Sequence, residues 1–235
     1  MNDTDTWQLL FDAIEMDDLH TCLARVTDLI AQGIDVNRGP EMGMTPLMWA
    51  CARRSNDTAV IEALIAAGAD VDCESAHEGT ALCWAANYAD LPKINLLLRH
   101  GATDLNMALH WAVRSCCYSA EHGAAIDRLL KAGADLESRI DGWTPLMWAA
   151  RSTGPADPFS TIATVHDLLA RGADVYALDP SGRSARTIAR EHAALEAVAV
   201  LDAHEAMLRA RDRDAMWTMV QRPDDAPVRR STRRM

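Results

Sequence analysis

Thr45-Pro-Leu-Met-Trp-Ala50 and Thr144-Pro-Leu-Met-Trp-Ala149 are the same six residues written twice in a chain of 235. Thr before Pro at the head of an apolar run is a helix start. The hydroxyl can accept a hydrogen bond from an N–H of the first turn, and Pro in that turn lacks only an N–H that would have no intrahelical acceptor. Weaker copies follow the same plan at Gly79-Thr-Ala-Leu-Cys-Trp-Ala85, Asn106-Met-Ala-Leu-His-Trp-Ala112 and Gly182-Arg-Ser-Ala-Arg-Thr-Ile-Ala189. Upstream of the five starts stand Gly33, Gly68, Gly101, Gly133 and Gly172, each followed by Ala-Asp or a close variant. Glycine at a helix end takes the left-handed conformation without a Cβ clash, so these residues mark the close of a second helix in each unit.

A unit of ~33 residues, built as a β-turn and two helices, cannot bury its own apolar face and must stack on its neighbours. The registered copies resemble ankyrin-repeat proteins over roughly residues 5–204. The resemblance implies an all-α fold, an ankyrin-repeat solenoid of about six helix-turn-helix units with short β-turn fingers. Residues 6–16 and 19–32 read as an N-terminal capping pair, and 184–204 as a terminal pair whose outer face carries Arg183, Arg186, Arg190, Glu191 and Glu196. The expected organisation is a solenoid over 1–204, a helical extension over 205–220 and a basic tail over 221–235. In the extension, Leu208, Met216 and Trp217 are expected to cover the terminal repeat or to prolong its last helix.

Composition fits stacked small residues, with 49% hydrophobic but only 5% aromatic side chains. The acidic, polar first residues do not read as a secretory leader, and no apolar run approaches the ~18 residues of a membrane helix. The expected compartment is the cytoplasm, with no membrane partner. Six cysteines at 22, 51, 73, 83, 116 and 117 contain no Cys-x-x-Cys pair and read as reduced structural thiols.

Charge is unevenly distributed. Residues 205–235 hold eight Arg and five Asp/Glu, whereas residues 1–204 hold 15 Lys/Arg against 29 Asp/Glu, a net −14. Many of the acids fall in the turns between units. A basic protein partner is therefore favoured, and duplex nucleic acid is disfavoured by like-charge repulsion.

In ankyrin stacks the first helices and fingers line the concave side, and equivalent positions of successive units form columns. One column reads Trp49, Trp84, Trp111, Trp148 and Ile188, so four of the seven tryptophans lie in register. Large aromatic rings offer contact area at small entropic cost, which makes this column the candidate floor of a binding groove or, alternatively, a packed aromatic ladder. The candidate partner-binding residues are Trp49, Trp84, Trp111, Trp143 and Trp148 with the finger acids Asp72, Glu74, Glu78, Glu137 and Asp141. His110 stands where the family places a histidine that bonds the neighbouring loop, a structural role. Distances from column residue to closing glycine, 17 residues for Trp84 but 22 for Trp111 and 24 for Trp148, place insertions near 114–123 and 151–161.

Gly142-Trp-Thr-Pro-Leu-Met-Trp148 also looks like the cage repeat of ankyrin domains in histone lysine methyltransferases, where Trp residues and an acid surround a methylated lysine. Here Arg151 holds the acid's position and Ile188 that of the next Trp. Methyl-lysine reading is the minor alternative. No phosphate loop, His-Glu-x-x-His or Gly-x-Ser-x-Gly occurs, so no enzyme activity, small-molecule substrate, metal or cofactor is expected. The function implied is a non-catalytic protein-interaction module, adaptor or inhibitor subunit, with an immunity-type inhibitor of a toxin or nuclease as a named alternative.

Overall fold

The computed structural model describes residues 6–40, 43–53, 58–75, 79–115, 121–151 and 158–220. Among them are twelve helices in six consecutive pairs: α1 (Thr6–Ile14) and α2 (Leu19–Ala31), α3 (Pro46–Ala52) and α4 (Thr58–Ala66), α5 (Ala81–Asn87) and α6 (Leu91–Arg99), α7 (Leu105–Arg114) and α8 (His122–Ala132), α9 (Pro145–Arg151) and α10 (Pro158–Ala170), α11 (Ala185–Glu191) and α12 (Leu195–Val220). First helices pack on first helices in chain order, from α1 on α3 to α9 on α11. Second helices form their own row, α2 on α4, α4 on α6, α6 on α8 and α10 on α12. The chain is an all-α repeat solenoid.

The helix starts are made as the motif predicts. Thr45 is extended at φ −80°, ψ 160°, and its Oγ1 accepts from Met48 N at 3.3 Å, while Thr144 Oγ1 accepts from Met147 N at 3.4 Å. The leucine of each start, Leu47, Leu82, Leu109 and Leu146, is at most 1% exposed. Opposite them the second helices supply pairs three residues apart, Ile61 and Leu64, Ile94 and Leu97, Ile126 and Leu129, Val165 and Leu168, all buried. That spacing puts both side chains on one helix face, and each buried aliphatic contributes roughly 1.5–3 kcal/mol.

Between units the fingers are tied to one another by a repeated hydrogen bond. The Asn37 carbonyl accepts from Asp70 N at 2.7 Å, the Asp72 carboxylate from Thr103 N at 2.9 Å, the Asn106 carbonyl from Asp135 N at 2.7 Å, and the Glu137 carboxylate from Asp174 N at 2.8 Å. The donor is the residue two positions after the closing glycine in every case. Its own N–H is thereby satisfied by the preceding unit, which converts stacking into a fixed register.

The row of fingers is interrupted once. Consecutive units are joined by residues 32–45, 67–80, 133–144 and 171–184, but α6 and α7 are joined by only the five residues 100–104. Isolated β-bridges mark three of the four other turns, Ser75 with Gly79, Ile140 with Trp143 and Leu178 with Ser184. The finger between the third and fourth units is absent.

Lys93 of α6 is fully buried. Its ammonium donates to the backbone oxygen of Arg53, just beyond α3, and pairs with Asp90 at 3.1 Å. A seven-residue helix such as α3 leaves its last carbonyls without intrahelical donors, and the lysine supplies one from the next unit. Asp90 also caps α6 by accepting from Lys93 N.

The last helix follows one of the two expectations for its extension, prolongation, and not the other. Residues 205–220 continue α12 without a break, there being no Gly or Pro before Pro223 to end it. Its packed face runs Ala197, Leu201, Glu205 and Leu208. Beyond that, Met216 and Trp217 are 68% and 65% exposed, so they do not cover the terminal repeat as anticipated. The helix outruns the surface it packs on, since its neighbour α10 has half its length. The basic tail, Glu78, the Cys116–Cys117 pair and about half of each insertion lie outside the described residues.

Candidate protein-binding face

The first helices carry the column Trp49, Trp84, Trp111 and Trp148, each half-buried against the core. The rings do not form one ladder. Trp49 meets Phe11 of α1 at 5.7 Å between centroids, Trp84 meets Trp111 edge-on at 5.4 Å, and Trp148 meets Trp143 at 4.9 Å. Phe11 therefore heads the column one unit earlier than the Thr-Pro-Leu motif reveals. The indole Nε1 atoms of Trp49, Trp84 and Trp148 are buried without an acceptor, so these rings present π-faces and edges to the surface rather than a hydrogen-bond donor.

The Trp84–Trp111 pair sits where the finger is missing, and Cys83, the residue before Trp84, meets an acidic group. Asp104, at the start of α7, accepts from the Cys83 thiol at 3.5 Å. Its carboxyl is held above the usual range by burial first, with Glu74 and Asp72 adding like-charge repulsion. Glu74 itself is exposed. Negative potential thus concentrates beside a bare aromatic pair.

Trp143 and Trp148 have different company. The hairpin turn Asp141-Gly142 fixes Trp143: both residues are left-handed at φ 54° and 80°, and Ile140 and Trp143 exchange backbone hydrogen bonds at 3.1 and 3.0 Å. This is the two-residue turn that closes a tight hairpin, and a Cβ at Gly142 would lie 2.6 Å from Pro180 of the next finger. Over the pair lie three guanidinium groups: Arg114 4.7 Å from the Trp148 centroid, Arg151 5.5 Å from Trp148 and 5.6 Å from Trp143, and Arg183 5.6 Å from Trp143. The geometry counts against a methyl-lysine cage here, because the chain's own cations already take up the cation–π contacts that a methylated lysine would need.

The remaining candidate residues divide by role. Asp72 and Glu137 spend their carboxylates on the inter-unit register bonds, and burial raises the Glu137 carboxyl above its ordinary value. Asp141 is exposed at a turn tip. His110 Nε2 lies 3.1 Å from Ser138 O, and burial pushes its pKa down to about 4, so it is a neutral structural imidazole at pH 7. Cys22, Cys51, Cys73 and Cys83 form no disulfide, and burial pushes the Cys51 and Cys83 thiols up to about 12. Burial of that kind makes a thiol inert. Sequence reasoning missed the absent finger, although ten residues from Gly101 to Trp111 against 16 from Gly68 to Trp84 record it. It also missed Arg114 and Arg183, whose reach to Trp148 and Trp143 spans neighbouring units.

The ankyrin repeat family model matches residues 42–76 and 141–180, the two units that carry the full Thr-Pro-Leu-Met-Trp start. The chain thus carries ankyrin repeats at these two sites, and six stacked helix pairs with finger turns continue the same solenoid around them. Solved structures agree on the fold. A chain from the complex of the predatory endopeptidase Bd0816 of Bdellovibrio bacteriovorus with the immunity protein Bd3460 is 22% identical, with 83% of this chain and 97% of that one covered and a TM-score of 0.66. The ankyrin repeat protein EF0377 is 24% identical over 83% and 97%, with a TM-score of 0.64. The ankyrin repeat domain of Bcl-3, a member of the IkappaB protein family, is 26% identical over 83% and 85%, with a TM-score of 0.63. Among the described residues, no helix is long and apolar enough to cross a membrane.

Proposed function

We propose that this protein is a non-catalytic, cytoplasmic interaction module whose first-helix face binds a basic segment of another protein. The observation that carries the reading is the Trp84–Trp111 pair at the missing finger, beside Asp72, Glu74 and Asp104. A partner element can approach the rings there without meeting a turn, and a positively charged one gains from the acid around them. Trp49 and the exposed Glu74 and Asp141 extend the same face, and Glu78 belongs to the same turn by sequence.

The test is affinity for the partner after Trp84→Ala with Trp111→Ala. Binding should weaken by at least ~2 kcal/mol while far-UV circular dichroism stays that of the parent protein. Unchanged affinity in a folded double variant would remove the groove from the account. The association rate should fall between low and physiological salt, since the attraction is between exposed charges.

A stoichiometric inhibitor of the immunity type is the second reading. It is favoured by the same acidic face, which is suited to occluding a basic catalytic surface, and is compatible with the fold shared with a chain of an endopeptidase–immunity complex. Suppression of the partner's activity at a one-to-one ratio separates an inhibitor from an adaptor.

A further inference from the structure

Arg114 and Arg151 are two cations that lie on the aromatic column of this acidic solenoid. Both are exposed, and both lie at the C-terminal ends of first helices, three residues after Trp111 and Trp148. Among the described residues neither makes an ion pair, and their contacts are with the aromatic faces of Trp148 and Trp143. Arg183, the third guanidinium over the pair, is neutralised by Asp179 at 2.8 Å and Glu191 at 3.0 Å. Asp141, the acid at the nearby turn tip, makes no ion pair with either arginine; it and Arg114 both act on His110 from a distance.

We infer that Arg114 and Arg151, braced on Trp148 and Trp143, form a receptor for a carboxylate side chain of the bound protein. The inference rests on the first-helix face being the binding face. A guanidinium stacked on an indole keeps its in-plane N–H donors free at the edge. Those donors match the two oxygens of a carboxylate, and stacking has already restricted the side chain, so less conformational freedom is lost when the acid arrives. The like-charged approach of two guanidiniums over one ring is tolerated in the free protein by the π-faces and relieved by an incoming anion.

The consequence is polarity. Trp148 of the arginine platform lies one first-helix spacing from Trp111 and two from Trp84, so the acidic α5 side and the α9 side are roughly 16–20 Å apart at 8–10 Å per packed helix. A bound segment with its basic residues toward α5 and an acidic one toward α9 satisfies both ends, and the reversed segment meets like charge at both. Such an arrangement sets the direction of binding and rejects uniformly basic competitors. A nucleic-acid phosphate would also suit two arginines, but it would have to lie along a face of net negative charge.

The experiment uses the full-length protein with 15N-labelled arginine. Nε–Hε resonances are followed at low ionic strength during titration with an acetylated, amidated tetraglutamate peptide. Parallel arms use the tetraglutamine peptide, inorganic phosphate and a ten-residue oligothymidylate. The expected result is saturable shifts at Arg114 and Arg151 with the glutamate peptide, at least tenfold weaker binding of the glutamine peptide, and loss of the response in Arg114→Gln with Arg151→Gln. Arg211 and Arg213, exposed on α12 and without an aromatic brace among the described residues, should move little. Equal shifts at Arg211 and Arg213, no response at Arg114 and Arg151, or tighter binding of phosphate or oligothymidylate would overturn the assignment. The outcome is independent of Trp84 and Trp111, so its failure and the failure of the binding-face reading are told apart.

Discussion

Two pairs of basic residues, one toward each end of the solenoid, are treated in opposite ways. Toward the N-terminal end, Arg53 donates to the backbone oxygen of Met16 at 3.1 Å, and Lys93 of the second helix α6 reaches fully inside to Asp90 and the Arg53 carbonyl. Toward the C-terminal end, Arg114 and Arg151 lie outside on tryptophan faces. The aromatic column is common to both ends, so the rings alone do not distinguish them. What differs is whether a cation is consumed by the fold or offered to a partner, and that turns one repeated column into a surface with an acidic and a basic end.

The contrast is sharpest in stability. Lys93→Ala strips a buried carboxylate and a helix-terminal carbonyl of their partner, and the expected loss is about 3–5 kcal/mol. Arg151→Ala removes an exposed cation from a ring face and should stay within about 1 kcal/mol of the parent protein. Chemical denaturation of the two variants checks the pair of values, and comparable losses would erase the distinction between an inward and an outward cation. Lys93→Met, which keeps the volume, should recover part of the deficit.

His110 lies on α7, between the two ends, and makes their union sensitive to acid. The unfolded chain binds the imidazole proton below about 6.5 and the folded chain only below about 4. Unfolded protein therefore holds more protons throughout that window, and stability must fall as pH drops from about 6.5 to about 4, by an amount on the order of 2 kcal/mol. In His110→Gln that part of the slope should vanish. Denaturation midpoints at pH 7 and pH 4.5 for both proteins measure it.

The smallest effect concerns α12. Truncation after Arg213 removes Met216 and Trp217 from solvent-exposed positions and should change stability by less than about 0.5 kcal/mol. Truncation after His204 removes buried Glu205 and half-buried Leu208 as well and should cost more. Thermal melts of the two forms test whether the packed face of the helix ends at Leu208.

Much of this fold can be read directly from the residues. A threonine cap, a proline in the first turn and a closing glycine each act locally, so Thr45, Pro46 and Gly68 delimit a unit before any neighbour is known. The column register follows because helix periodicity is fixed. The site was less accessible, for a physical reason. Ring partners depend on the spacing between units, so Phe11 was invisible as a partner of Trp49, and Arg114 as a cover for Trp148. Finger acids looked equivalent in sequence, yet Asp72 and Glu137 are committed to backbone N–H groups of the next unit while Glu74 is not. A carboxylate's role here is set by what lies about one repeat further along the chain. Met216 and Trp217 were misread because hydrophobic character predicts burial only where a neighbouring helix is long enough to provide it.

The central claim is that a partner protein contacts the first-helix face at the missing finger. Its most direct test places the photocrosslinking residue p-benzoylphenylalanine at position 84 in one protein and at position 99, exposed on the second-helix row, in another. Irradiation in the native host should yield a discrete covalent adduct from position 84 and none from position 99. An adduct from position 99 with none from 84 would contradict the account and move the binding surface to the opposite side of the solenoid.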